Sequence, residues 1–425
     1  MPLPPNQDPT AGPVHRPAGT TGSAHVSTGG FPTWPLAATL AMQTLSTGAA
    51  YSFPAVAPAV AKDLGVDGAL VGFFISTVYG VGIVSALFSP GFVHRYGAVR
   101  VSQAVLLSTL AMLLAAAAGS VLSIALGAVL MGFAYGAAAP SSTHLLVPRT
   151  PRGALNLVLS LRQIGVPLGG VLAGLLVPPL TLAYGWRVAL LLEMVPVLVL
   201  MVLLQVPRGR WDAGRDPGRA IVNANLLQPL SLLRAGPPDG SAIRRLALVS
   251  FVYSGLQLCF IAFMTVHLTT KAGWTLVQAG QALAIYQVGG AVSRPIWGLI
   301  ADRWLAARWL LALQGVIACG AAVMAGRFGG DWPHALILAV CAMGGATASG
   351  FTGIAYGEWA RIGGDNRTEA TGLGASAMFA GVLVLPSAMS VIVTAWGGYE
   401  AAYTLMGALA LVAGVLVAAG RQLST

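Results

Sequence analysis

Pro90-Gly91-Phe92-Val93-His94-Arg95-Tyr96-Gly97-Ala98-Val99-Arg100 follows the second apolar segment of this chain. Gly298-Leu299-Ile300-Ala301-Asp302-Arg303-Trp304-Leu305-Ala306-Ala307-Arg308 follows the eighth. Each stretch is a short turn that carries two arginines between long apolar runs. Arg95 and Arg303 stand 208 residues apart, about half of the 425-residue chain. A long apolar chain that repeats a charged loop at half its length reads as two homologous membrane halves. Folds built from such repeats place small-molecule sites at the interface between them.

Composition agrees. Hydrophobic residues make up 56% of the chain and charged residues only 8%, against roughly 25% charged in a soluble domain. Such a chain cannot cover itself with polar surface, so it reads as a polytopic membrane protein with the lipid bilayer as its solvent. The net charge of +10 is not a nucleic-acid signal, because the basic residues are dealt out into short loops instead of gathering on one face. Cys259, Cys319 and Cys341 all fall in apolar segments without metal-ligand spacing, which reads as packing. No metal site, cofactor or nucleotide-binding Gly-Lys-Thr/Ser loop is predicted.

A bilayer core of about 30 Å needs about 20 apolar residues per helix. Twelve windows fit: 34–60, 68–90, 98–118, 121–146, 154–179, 184–206, 244–270, 275–301, 306–327, 333–359, 368–395 and 399–420. The expected organisation is a disordered tail at 1–32, a six-helix half at 33–206, a linker at 207–243, a second half at 244–420 and a short tail at 421–425. Within the linker, Leu226–Leu233 reads as a piece lying along the membrane surface. With the N-terminus inside, seventeen Lys and Arg fall on the inner side and four on the outer, and Arg162 and Arg294 stay inside the spans. That bias follows the positive-inside rule and places both termini in the cytoplasm.

Twelve spans, a basic central linker and the repeated loop resemble the major facilitator superfamily, over about residues 33–420. The second loop matches the family's inter-helix signature through Gly298, Asp302, Arg303 and Arg308, with Leu305 where glycine is usual. The first keeps Arg95, Gly97 and Arg100 but has Pro90 and His94 in place of glycine and aspartate. The resemblance implies an all-α fold of two pseudo-symmetric six-helix halves, a monomer, and secondary active transport by alternating access across a bacterial inner membrane. It implies no enzyme activity. It also implies a conformational latch at Asp302, Arg303 and Arg308, and at Arg95 and Arg100. The alternative for these arginines is topology alone, positive charge that keeps the loops inside.

An ionisable group inside a bilayer is a functional candidate. Arg294, in Ser293-Arg294-Pro295-Ile296-Trp297-Gly298, resembles the Arg-Pro-x-x-Gly of monocarboxylate and oxalate carriers in that superfamily, whose arginine binds the substrate carboxylate. The animal-type monocarboxylate carriers have aspartate where this chain has Gly290. A guanidinium fork suits a carboxylate. Arg162, followed by Gln163, sits about 12 Å into the fifth span, a depth similar to that of Arg294 in the eighth. Two arginines on facing helices repel unless an anion lies between them, which points to a small organic anion, a carboxylate favoured. Snorkelling to the cytoplasmic face is the alternative for both. The resemblance makes the first, fourth, seventh and tenth helices line the cavity. Softer candidates are Gln43, Tyr51, Tyr135, Tyr253, Gln257, Tyr286, Gln287 and Tyr356, each as well explained by helix packing. Glu193, Glu358 and His144 are the candidates for proton coupling, as in a symporter. The alternatives are a structural hydrogen bond for Glu193 and an interfacial pair with Arg361 for Glu358. Pro167, among the small residues of the fifth span, frees a carbonyl and predicts a bend there. The rival function is efflux of drug-like or hydrophobic compounds.

Overall fold

The computed structural model describes residues 31–151, 154–218, 221, 239–363, 367–396 and 398–420. The tail at 1–30, the linker piece 226–233, the residues 421–425 and the side chain of Asp302 lie outside the described set.

The described residues form α-helices joined by short turns. The first half holds α1 (Thr33–Leu64), α2 (Val71–Tyr96), α3 (Ala98–Ala117), α4 (Val121–Leu146), α5 (Leu155–Gln163), α6 (Gly165–Tyr184) and α7 (Trp186–Leu203). A single-turn helix, α8 (Arg208–Trp211), begins the linker. The second half holds α9 (Asp239–Thr270), α10 (Leu276–Arg303), α11 (Ala307–Gly326), α12 (His334–Gly344), α13 (Thr352–Gly363), α14 (Arg367–Trp396) and α15 (Tyr399–Ala418). Here α5 and α6 form the fifth span, and α12 and α13 the tenth.

Ten helical segments are long and apolar enough to cross a membrane on composition alone. The other two spans, α1 and α10, are 32 and 28 residues long but more polar. They carry Gln43, Thr44, Ser46 and Thr47, and Gln281, Tyr286, Gln287 and Arg294. Their polarity has a use, because these two helices face the centre of the molecule.

Two spans are not the continuous helices expected of them. The fifth breaks at Ile164, three residues before Pro167. Proline has no N–H, and its ring clashes with the carbonyl four residues earlier, here that of Gln163. The chain resolves this by ending α5 at Gln163 and starting α6 so that Pro167 falls in its first turn. The tenth span widens into a π-turn over Gly345–Ser349. Single π-turns inside helices occur often at functional sites. A Cβ on Gly345 would run into the Tyr286 carbonyl, so this run of small residues lets α10 cross directly against the turn.

The two halves meet through α6 and α10, α2 and α14, and α1 and α9. Gly174 and Gly280 pack backbone to backbone at the first crossing. Among the described residues, four hydrogen bonds join the halves. Ser390 Oγ donates to Ala69 O at 2.7 Å and Ser76 Oγ to Val382 O at 3.3 Å. The Ser387 N–H donates to Ser76 Oγ at 3.1 Å, and Thr265 Oγ1 to Pro54 O. All four lie in the half of the bilayer predicted to be outer.

Candidate functional site

The break between α5 and α6 positions Arg162. The residue is 4% exposed, and its guanidinium turns inward to α1 and α4. Nη2 donates to Gln43 Oε1 at 2.6 Å and to the Ala138 carbonyl at 3.1 Å, and Nη1 donates to Gln163 Oε1 at 2.9 Å. Nε is enclosed and has no partner among the described residues. The arginine does not snorkel to the inner face. It is anchored by neutral acceptors, with the Nε donor left over.

On the other half the π-turn does the equivalent work for Arg294. Its Nε donates to Ser349 O at 3.3 Å and its Nη2 to Ser349 Oγ at 3.2 Å. Trp297, one turn on, donates from Nε1 to Ala346 O at 2.7 Å. The wide turn presents two carbonyls, those of Ala346 and Ser349, to side chains of α10. Both contacts to Arg294 are long for a charged donor, so the fork is held loosely.

Between the arginines stands a cluster of tyrosines. Tyr79 Oη donates to Tyr135 Oη at 3.0 Å and lies 3.4 Å from Tyr51 Oη, which links α1, α2 and α4. Tyr51 and Tyr135 of the first half, and Tyr286 and Tyr356 of the second, are all within electrostatic reach of the Arg294 guanidinium. Tyr135 is also within reach of Arg162. One tyrosine therefore sees both cations, one from each half. Tyr286 Oη donates to Gln257 O at 3.3 Å, and Gln287 packs on Gly170 with its Nε2 unpartnered. Phe379 of α14 closes on Tyr79 edge-on, at 5.4 Å between ring centres.

The other candidates are not brought into this cluster. Tyr253 points outward, donating to Leu311 O at 2.7 Å and packing on Gly315 and Gly414. His144 meets the His94 ring edge-on, at 4.8 Å between ring centres, near the predicted inner surface. Glu358 is ion-paired with Arg361 at 2.6 Å. That pair and Arg308 line a cavity of about 550 Å³ at the inner end of the second half. Glu193 lies behind α1, where Ser52 Oγ is 2.8 Å from its Oε2.

Among the described residues, none of the latch arginines forms an ion pair. Arg95 lies over the Tyr96 ring, Arg303 is exposed, and Arg308 donates to Gly420 O at 2.8 Å. Arg100 donates from Nη1 to Gln103 Oε1 at 3.2 Å. Asp212, just past α8 and 3% exposed, accepts from the backbone N–H groups of Val99 at 2.8 Å and Arg100 at 3.1 Å. A carboxylate at the first turn of α3 satisfies donors that the helix leaves unpaired.

Three residues in these contacts escape a sequence reading: Tyr79, Ser349 and Asp212. Only Ser349 has a local signal, the small-residue run Gly344-Gly345-Ala346-Thr347-Ala348-Ser349-Gly350.

A helical bundle of two packed six-span halves with a polar centre is the architecture of a membrane transporter. The sequence profile of the Major Facilitator Superfamily matches residues 38–356 and 246–423, and the chain belongs to that superfamily. It is a multi-pass membrane protein with its twelve-helix fold. The chain is similar to the 4-hydroxybenzoate transporter PcaK of Pseudomonas aeruginosa, 27% identical over 276 residues, which is 59% of this chain and 61% of that one. The PcaK of Pseudomonas putida is 26% identical over 275 residues, with the same shares. The match thus spans less than two thirds of these relatives' length. Among solved structures, the peptide transporter POT in complex with sulfate superposes with a TM-score of 0.70 at 14% identity, covering 90% of this chain and 93% of that one. At that identity the likeness is one of fold.

Proposed function

We propose that this protein is a secondary transporter that carries a small organic anion, a carboxylate of aromatic-acid size, across a bacterial inner membrane by alternating access. Both termini lie in the cytoplasm, and Arg162 and Arg294 form the carboxylate site. The observation that carries this reading is the placement of one inward-turned arginine from each half on a shared tyrosine cluster, with Arg162 Nε unpartnered. An anion bound among these tyrosines would meet a guanidinium from each half. The tyrosine rings offer apolar faces for an aromatic body, and their hydroxyls hydrogen-bond its polar edge. Similarity to 4-hydroxybenzoate transporters supports the same substrate class. Inter-half hydrogen bonds confined to the predicted outer side support a conformation closed there, and the opposite conformation requires breaking them.

The test is exchange of 4-hydroxybenzoate by the purified protein in vesicles, in wild type, Arg162→Gln and Arg294→Gln. A charged hydrogen bond is worth about 1.5–3 kcal/mol, so each variant should lose about 10- to 100-fold in apparent affinity. Exchange unaltered in both variants refutes the carboxylate site. Uptake of apolar cations in place of the acid turns the reading to efflux.

A further inference from the structure

The Ser52 hydroxyl has one proton and two close oxygen neighbours. Its Oγ lies 2.8 Å from the Gly48 carbonyl oxygen and 2.8 Å from Glu193 Oε2. The carbonyl can only accept. If Glu193 were ionised it too could only accept, and the two contacts would have to share a single proton. Both are satisfied when Ser52 donates to Gly48 O and Glu193 carries a proton that it donates to Ser52 Oγ. The second carboxyl oxygen, Oε1, is enclosed with no partner among the described residues, which suits a neutral acid and not an anion.

Among the described residues, the surroundings supply no counter-charge. Helices α1, α3 and α6 pack on α7. Their titratable groups are Tyr51, Lys62 and Asp63 on α1, Arg100 at the inner end of α3, and Tyr184 at the outer end of α6. On α7 itself Arg187 is ion-paired with Asp63 at 2.7 Å. Among the described residues, only Ser52 interacts with the carboxyl.

The position is also tied to the moving parts. The α1 segment Gly48–Pro54 touches α6 at Gly169, brings Tyr51 to the tyrosine cluster and Ser52 to Glu193, and offers the Pro54 carbonyl to Thr265 of the other half. Parting the halves on the outer side breaks the Thr265 bond two residues from Ser52.

We propose that Glu193, held by Ser52, is the proton-carrying site of this transporter: it is loaded while the outer side is open, still holds its proton in the present conformation, and gives it up to the inner side. The step is a proton transfer alone. The Glu193 O–H bond breaks, the proton passes to water on the inner side, and nothing is oxidised or reduced. The coupling rests on the transport reading above, but the protonation state does not.

Two measurements on the full chain decide it. Infrared spectra of the purified protein at pH 7 should show a protonated-carboxyl band that Glu193→Gln removes. An unchanged band shows that Glu193 is ionised and overturns the proposal. In vesicles with an inside-alkaline gradient of one pH unit, one-proton coupling accumulates 4-hydroxybenzoate about tenfold, read as the initial phase above protein-free vesicles. Glu193→Gln should lose this accumulation and keep equilibrium exchange, while Glu193→Asp should restore it. Accumulation by Glu193→Gln at the wild-type level overturns the proposal. If wild type moves no 4-hydroxybenzoate, the substrate reading fails and the infrared titration alone judges Glu193.

Discussion

Gly169→Ala should destabilise this protein and weaken its anion site together. A Cβ at Gly169 would sit against the Thr44 carbonyl, 2.7 Å from Gly48 N and 3.0 Å from Thr47 Cβ. Two of these neighbours are helix backbone, which cannot step aside alone. To bring the Gly48 contact to the 3.4 Å of ordinary packing, α1 and α6 must part by about 0.7 Å. Overpacking of this kind costs about 1–3 kcal/mol. The same separation carries Gln43 away from Arg162, whose 2.6 Å bond to it is the shortest the arginine makes. Gly298→Ala is the internal control. Nothing lies within 4 Å of a Cβ there, and replacing a mid-helix glycine stabilises by about 0.5–1 kcal/mol. Chemical unfolding in mixed micelles should therefore move in opposite directions for the two variants, and only Gly169→Ala should weaken 4-hydroxybenzoate binding. A Gly169→Ala protein as stable as wild type would show that α1 and α6 do not pack this closely.

Two further outcomes follow from the same contacts. Asp212→Asn exchanges a carboxylate that accepts two backbone N–H groups at the start of α3 for a neutral amide. It should cost about 1 kcal/mol in unfolding experiments, with exchange kinetics altered more than affinity. Pro167→Ala returns an N–H to the Gln163 carbonyl and regularises the join of α5 to α6, which turns Arg162 from its anchors. Transport should fall about tenfold or more, since small misplacements of a binding group have such effects, while unfolding free energy holds or rises. Unchanged transport would show that the break does not aim the arginine.

Much of this arrangement is legible in the sequence because it depends on sums along the chain. Span length, loop charge and the repeat at Arg95 and Arg303 mark two halves without knowledge of which helix faces which. Arg162 and Arg294 stand out because charge in a bilayer is rare. The disturbance near Pro167 is a local steric effect, readable as a bend, and Ile164 keeps helical torsions there. What escaped depends on azimuth. Tyr79 lies on the second span, outside the helices that the resemblance makes cavity-lining, and only the packing of α1, α2 and α4 brings its hydroxyl between Tyr51 and Tyr135. Tyr253 was a candidate by its helix, and its direction along that helix takes it to Leu311. Asp212 stands 113 residues from the N–H of Val99 that it caps, a pairing with no local pattern. Ser349 needed a π-turn, which follows from how closely α10 must cross and not from the propensity of five small residues.

The most direct measurement is calorimetric titration of the purified protein with 4-hydroxybenzoate and with its neutral amide, 4-hydroxybenzamide. The two share size and ring and differ in the charge that Arg162 and Arg294 are positioned to meet. Binding of the acid with no detectable binding of the amide, lost in Arg294→Gln, is the predicted result. Equal binding of acid and amide, or binding of the acid that survives loss of both arginines, would contradict a carboxylate site between the halves.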